Sequence, residues 1–119
     1  MRTPTFAELE ASVEAYFRRV VRERLGGYTM KLIPAEKGAP DRLVILPGGR
    51  LLLVELKVAK GGQVAPAQRY WHERAESLGF TVPVICGRQG VDEWASSLAS
   101  GDPDKPQKSA SETASRRRG

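Results

Sequence analysis

The sequence predicts an α/β protein: an αβββαβ core, its mixed four-stranded sheet flanked by helices, with a short C-terminal helix after it. Three features carry this expectation. Apolar residues recur at helical spacing across residues 5–25. Two apolar runs, 42–46 and 51–58, meet at the turn Pro47-Gly48-Gly49-Arg50 in the manner of a β-hairpin. A helical stretch then separates the second run from another at 81–86, and such a strand-helix-strand step implies a parallel pair with a right-handed crossover.

The first helix starts at Thr5, with Glu8 at capping-box spacing. Phe6, Leu9, Val13, Phe17, Val20 and Val21 mark its apolar face, and Gly26-Gly27 ends it. Residues 28–34 alternate loosely and read as a first strand; 42–46 and 51–58 are the second and third. The third is apolar on both faces apart from its charges, the pattern of a strand covered on both sides. Lys60-Gly61-Gly62-Gln63 is a loop, and no Gly-Lys-Ser/Thr follows to make it a phosphate loop. Pro66 suits the first turn of a second helix reaching to about Leu78, with Gly79 beyond its end. In the fourth strand, 81–86, Pro83 lacks an N–H donor and points to an edge or an irregular stretch. Residues 91–98 form the closing helix. The folded domain is thus expected over residues 1–99. Residues 100–119 carry no aliphatic side chain larger than alanine and are expected to be a disordered basic tail.

A chain of 119 residues supports one modest core, and its net charge of +5 suits a partner rich in phosphate. The single cysteine, Cys86, excludes an intramolecular disulfide and a Cys-cluster zinc site; its apolar surroundings predict an inert core thiol. Trp71 and Trp94 are expected as core anchors. With no N-terminal apolar leader region and no run near the length of a membrane span, a cytoplasmic location is expected, in a bacterial cell or a phage-infected host.

Asp41, Glu55 and Lys57 stand out because they put charge into apolar strands. Isolated buried charges cost several kcal/mol unless they are paired or bind a metal. Glu55 and Lys57 are two apart on a strand, so they share a face. Two carboxylates that anchor a hard cation such as Mg²⁺ or Mn²⁺, beside a lysine that handles a proton, would offset the burial and hydrolyse phosphodiesters. The Leu56 backbone carbonyl lies between them in sequence and is a further candidate ligand.

Pro40-Asp41 followed by Glu55-x-Lys57 resembles the PD-(D/E)xK signature of the restriction-endonuclease-like superfamily. The wider context is more specific: Gly38-x-Pro40-Asp41-Arg42, the Pro47-Gly48-Gly49-Arg50 turn, Val54-Glu55-Leu56-Lys57, and Pro66-x-Gln68 opening a helix. Together these resemble the virus-type replication-repair nuclease (VRR-NUC) domain, over roughly residues 10–95. The resemblance implies an acidic residue on the first helix, Glu14, with Glu10 one turn earlier as the competing candidate. It also implies a role for Gln68 near the lysine and the phosphate. Where the family usually has a small hydroxyl residue before the proline, this chain has Ala65, which removes an N-cap worth ~1 kcal/mol.

The expected activity is therefore that of a Mg²⁺- or Mn²⁺-dependent DNA endonuclease. The resemblance further implies selectivity for branched, flapped or Holliday-junction-like structures in replication, recombination or repair. Arg18 and Arg22 on the first helix, Arg42, Lys60 and His72 are the candidate DNA contacts. The rival readings are a catalytically inactive DNA-binding module and an accessory subunit working with a helicase or another replication protein. A homodimer is expected, since two cuts in a symmetric junction need two sites.

The chemistry also predicts the hairpin register. Directly opposed residues on paired strands point to one face. A two-residue Gly48-Gly49 turn would set Asp41 opposite Leu56 and send the two carboxylates to opposite faces. A three-residue loop, Pro47-Gly48-Gly49, pairs Leu46 with Arg50 and so Asp41 with Glu55, glycine favouring the left-handed third position of that loop; that loop, or an equivalent one-residue bulge between the turn and Asp41, is expected.

Overall fold

Thr5 and Glu8 close a reciprocal cap at the start of α1 (Phe6–Glu23) in the computed structural model, which describes residues 2–58 and 64–100, Ala99 and Ser100 by backbone alone. The Glu8 N–H donates to Thr5 Oγ1 at 3.1 Å and the Thr5 N–H to Glu8 Oε1 at 3.0 Å, satisfying two of the free donors of a helix N-terminus. β1 (Tyr28–Lys31), β2 (Arg42–Leu46), β3 (Arg50–Lys57), α2 (Pro66–Ser77), β4 (Val84–Cys86) and α3 (Gly87–Ser100) follow. The sheet order is β1-β2-β3-β4, antiparallel for the first two pairs and parallel between β3 and β4.

One face of this sheet makes the core. Val44, Leu46, Val54 and Ile85 pack against Phe17, Val20 and Val21 of α1 and Val91, Trp94 and Ala95 of α3. The Phe17 and Trp94 rings stack with centroids 5.2 Å apart, a contact that adds to their burial. The apolar stripe of α1 outruns the surface it packs on: Val13 to Val21 are buried, but Phe6 and Leu9 are 68% and 42% exposed.

Several boundaries differ from the sequence reading. β1 ends at Lys31, and β4 begins only at Val84. The Pro83 carbonyl still accepts the Glu55 N–H at 2.9 Å, but proline has no donor of its own to extend the ladder. α3 starts at Gly87, four residues early, because that glycine, at φ 68°, turns the chain straight from strand into helix. α3 also runs through Ser100, where the tail was expected to begin; the rest of that expectation, 101–119, and the loop expected at 60–63 fall outside the described residues.

Trp71 is a correction. It is half-buried away from the core and donates to Glu36 Oε1 at 3.0 Å. Cys86 is a free, half-buried thiol. The expectation of helices over both faces holds only in part. α2 meets the second face at its acidic end, through Gln68, while Tyr28, Met30, Ile45 and Leu51 on that face are 60%, 41%, 42% and 53% exposed.

Candidate functional site

The hairpin takes the three-residue loop. Leu46 pairs with Arg50 and Arg42 with Val54, and one step further Asp41 lies opposite Glu55. Gly48 and Gly49 both hold positive φ, 86° and 78°, a conformation only glycine adopts without strain. Strand alternation then puts Asp41, Glu55 and Lys57 on one face, and Arg42 on the other.

Gly38 brings the fourth participant into place. At φ 90°, it lies so close to α2 that a Cβ there would sit 2.2 Å from the Ala67 carbonyl oxygen. The β1–β2 connection therefore rests on the first turn of α2. From that turn Gln68 spans the site: its Nε2 donates to Glu55 Oε2 at 2.7 Å, while its Oε1 accepts from Lys57 Nζ at 2.9 Å and from the Ala65 N–H at 3.1 Å. Ala65 has no capping side chain, and Gln68 supplies the acceptor from inside the helix. Lys57 Nζ also lies 3.7 Å from Glu55 Oε2.

The two carboxylates are unlike ordinary ones. Glu55 is only 4% exposed, and Glu55 Oε1 and Asp41 Oδ1 are buried without a hydrogen-bond partner. Burial pushes Glu55 up to about 7, and the neighbouring Asp41 charge adds to the rise against the opposing pull of Lys57 and Gln68. Burial raises Asp41 too, opposed by hydrogen bonds from the Leu56 and Asp41 N–H groups and by the charges of Arg42 and Lys31. Orphaned, desolvated oxygens on two adjacent carboxylates are the donor set that a hard divalent cation completes, and Mg²⁺ needs only one or two carboxylates beside waters and phosphate oxygens. The Leu56 carbonyl fits the same set by backbone parity. The Glu55 N–H points to β4, so the Leu56 N–H and C=O point the other way, toward Asp41, whose carboxyl takes that N–H.

A cleft of about 400 Å³ opens over the group, lined by Asp41, Glu55, Lys57 and Gln68 with Pro34 and Lys37 at its margin. Lys37, exposed on the connection before Asp41, went unnoticed in the sequence. Its one signal was a lysine immediately before the glycine of Gly38-x-Pro40-Asp41.

The other described candidates do not line that cleft. Glu14 pairs with Lys31 Nζ at 3.5 Å, and among the described residues no group of three or more histidine, cysteine or acidic side chains is placed to hold a metal. Glu10 is exposed on α1. Arg42 is a clear correction: it is 3% exposed, packed under α1 with its guanidinium 5.7 Å from the centre of the Phe17 ring, and cannot reach DNA. Burial lowers its pKa, with the Glu14 charge opposing. Arg18 and Arg22 are exposed on α1, Arg22 beside Glu23 at 3.5 Å. Lys60 lies outside the described residues. His72 is half-buried with Nε2 sealed and unpartnered, so that atom is not presented to a phosphate. Burial lowers its pKa, Glu76 opposing and Lys57 adding to the fall.

No family model matches the chain. It is 40% identical over 77 residues to the protein named "Putative nuclease p44" of Acyrthosiphon pisum secondary endosymbiont phage 1, a match spanning 64% of this chain and 81% of that protein. It is also similar to a solved structure titled "VRR_NUC domain", with TM-score 0.67 and 36% identity over 74% of this chain and 95% of the other.

Proposed function

The chain belongs to the VRR-NUC nuclease domain family, and we propose that it is a metal-dependent endonuclease that hydrolyses phosphodiester bonds of DNA, selecting branched or flapped structures. The observation that carries the metal-dependent reading is the pair of buried, unpartnered oxygens on Asp41 and Glu55, held on one face beside a lysine fixed by Gln68. Structure selectivity rests on the family alone. Such work on replicating or recombining DNA suits the cytoplasm of a bacterial or phage-infected cell.

Asp41, Glu55 and the Leu56 carbonyl would hold Mg²⁺ or Mn²⁺. When bound, the ion supplies positive charge at the scissile phosphate and lowers the pKa of a water. The chain's own residues do the rest. Gln68 fixes the direction of Lys57 Nζ by accepting one of its N–H bonds, leaving others for a phosphate oxygen. Lys57 can hold or pass a proton at that atom while Glu55, two residues away, orients the same region of the cleft. Lys37 at the margin adds positive charge for the flanking backbone.

Incubating the purified chain with linear, flapped and four-way-junction DNA tests this, with Mg²⁺, Mn²⁺ or EDTA present. Cleavage should need the ion and favour the branched substrates. Asp41→Asn, Glu55→Gln and Lys57→Ala should each lower turnover by roughly 100-fold or more while circular dichroism stays unchanged. A wild-type chain that cuts no DNA, or a Lys57→Ala chain with full turnover, would refute the reading.

A further inference from the structure

Trp71 stands outside the core, in a pocket of its own. Trp71, Arg74 and Ala75 of α2 and Leu78 just past its end follow one helical stripe, at i, i+3, i+4 and i+7. With Phe80 and Glu36 they line a cavity of about 290 Å³, whose rim is open at Leu78, 84% exposed. Glu36 Oε1 accepts the Trp71 indole N–H at 3.0 Å, and Glu36 Oε2 takes no hydrogen bond among the described residues.

This pocket adjoins the acidic cleft. Glu36 lines the pocket, and the next residue, Lys37, lines the cleft. On α2, Gln68 lines the cleft and Trp71, three residues later, lines the pocket. A helix rises 1.5 Å per residue, so Trp71 stands about 4.5 Å further along α2 than Gln68. One nucleotide follows another in a stacked strand by ~3.4 Å.

We propose that the pocket receives one unpaired nucleobase of the DNA strand whose phosphate lies in the cleft, an inference that rests on the nuclease reading. Three features select a base. Trp71 and Phe80 present aromatic surface and Arg74 a planar guanidinium, the side chains on which splayed-out bases stack. Each base carries an N–H on its Watson–Crick edge, and Glu36 Oε2 is an acceptor for it; that edge is open only when the base is unpaired. The Glu36 charge also repels phosphate where the adjacent Lys37 attracts it, so two consecutive residues send the base to one side and the phosphate to the other. The base held here is one that an intact duplex does not offer. Flaps and branch points thereby gain a contact that linear DNA lacks.

Equilibrium binding of the full chain in EDTA tests the pocket separately from cleavage. The probes are a plain duplex and a duplex with a single-stranded flap, the flap intact or with one abasic nucleotide at successive positions. One abasic position should weaken flap binding roughly 10-fold or more, the loss expected for one stacked base. Trp71→Ala should weaken intact-flap binding by the same factor and leave the Kd for the plain duplex unchanged. In that variant the abasic nucleotide should have no further effect, because both changes remove one contact. If Trp71→Ala misfolds, Leu78→Glu decides: at its exposed position it should reproduce the loss with unchanged circular dichroism. Flap binding indifferent to abasic nucleotides at every position overturns the pocket and leaves its apolar face to a protein partner, with metal-dependent cleavage still standing. Abasic-sensitive binding by a chain that cuts no DNA supports the pocket and overturns the nuclease reading alone.

Discussion

Gln68 is the residue on which the site's geometry converges. Its amide has one workable orientation, because Oε1 faces two donors, Lys57 Nζ and the Ala65 N–H, and Nε2 faces the Glu55 carboxylate. Gln68→Ala should lower turnover by roughly 10- to 100-fold, the usual loss when a partner that orients a reacting group is removed. It should also cost ~1 kcal/mol of stability by releasing the helix-start N–H. Gln68→Glu should be worse for turnover, since it replaces a donor to Glu55 with a like charge. Kinetics and thermal melting on the same preparations separate the two effects. Arg42 behaves oppositely. As a buried arginine packed on Phe17, its change to alanine should cost about 1–3 kcal/mol through lost packing, while the salt dependence of DNA binding stays as in the wild type.

At the scale of elements, the site depends on two backbone approaches rather than on helix or strand propensity. The β2–β3 loop sets which carboxylates share a face, and Gly38 sets how closely the β1–β2 connection lies on α2. Gly38→Ala and Gly48→Ala make a matched test. Both positions have positive φ, but a Cβ at Gly48 meets open space and one at Gly38 meets the Ala67 carbonyl. Gly48→Ala should cost about 1 kcal/mol from backbone strain alone. Gly38→Ala should lose at least twice that in thermal unfolding, and should lose activity as well because Gln68 is displaced. Equal melting temperatures would show that the close approach is unimportant. In the core, Trp94→Ala should cost about 3–5 kcal/mol, whereas Phe6→Ala, on the exposed overrun of α1, should change stability little.

Across the whole molecule, two raised carboxylates link stability to pH. Glu55 titrates at about 7 in the folded chain against an ordinary value of 4.5, and Asp41 is raised as well. A group raised in the folded state binds its proton more tightly there, so its contribution is fully present below the unfolded pKa and is lost as pH rises through the folded one. In EDTA the melting temperature should therefore fall between about pH 5 and about pH 8, with Glu55 contributing on the order of 3 kcal/mol. Mg²⁺ should restore stability chiefly at the upper end of that range, where both carboxylates are charged and can bind it. Glu55→Gln should flatten the slope in EDTA; a melting temperature independent of pH and of Mg²⁺ would contradict this account.

The sequence alone determined the order of elements, the capping of α1 by Thr5 and Glu8, the parallel β3–β4 pair and the acidic face of the hairpin. Those features follow from local spacing: a helical period, a strand alternation, and a loop length that fixes register by parity. Only the tertiary structure decided what lies against what. Arg42 reads in sequence as a basic residue beside the site, yet one step of alternation buries it under α1. Glu14 has the expected type and helix, and packing sets its partner, Lys31, whose charge also acts on Asp41. Trp71 has the size of a core anchor, but the core formed on the other side of the sheet. The uncovered rows from Tyr28 to Leu53 were equally invisible, because an apolar strand reads the same whether or not a helix covers it.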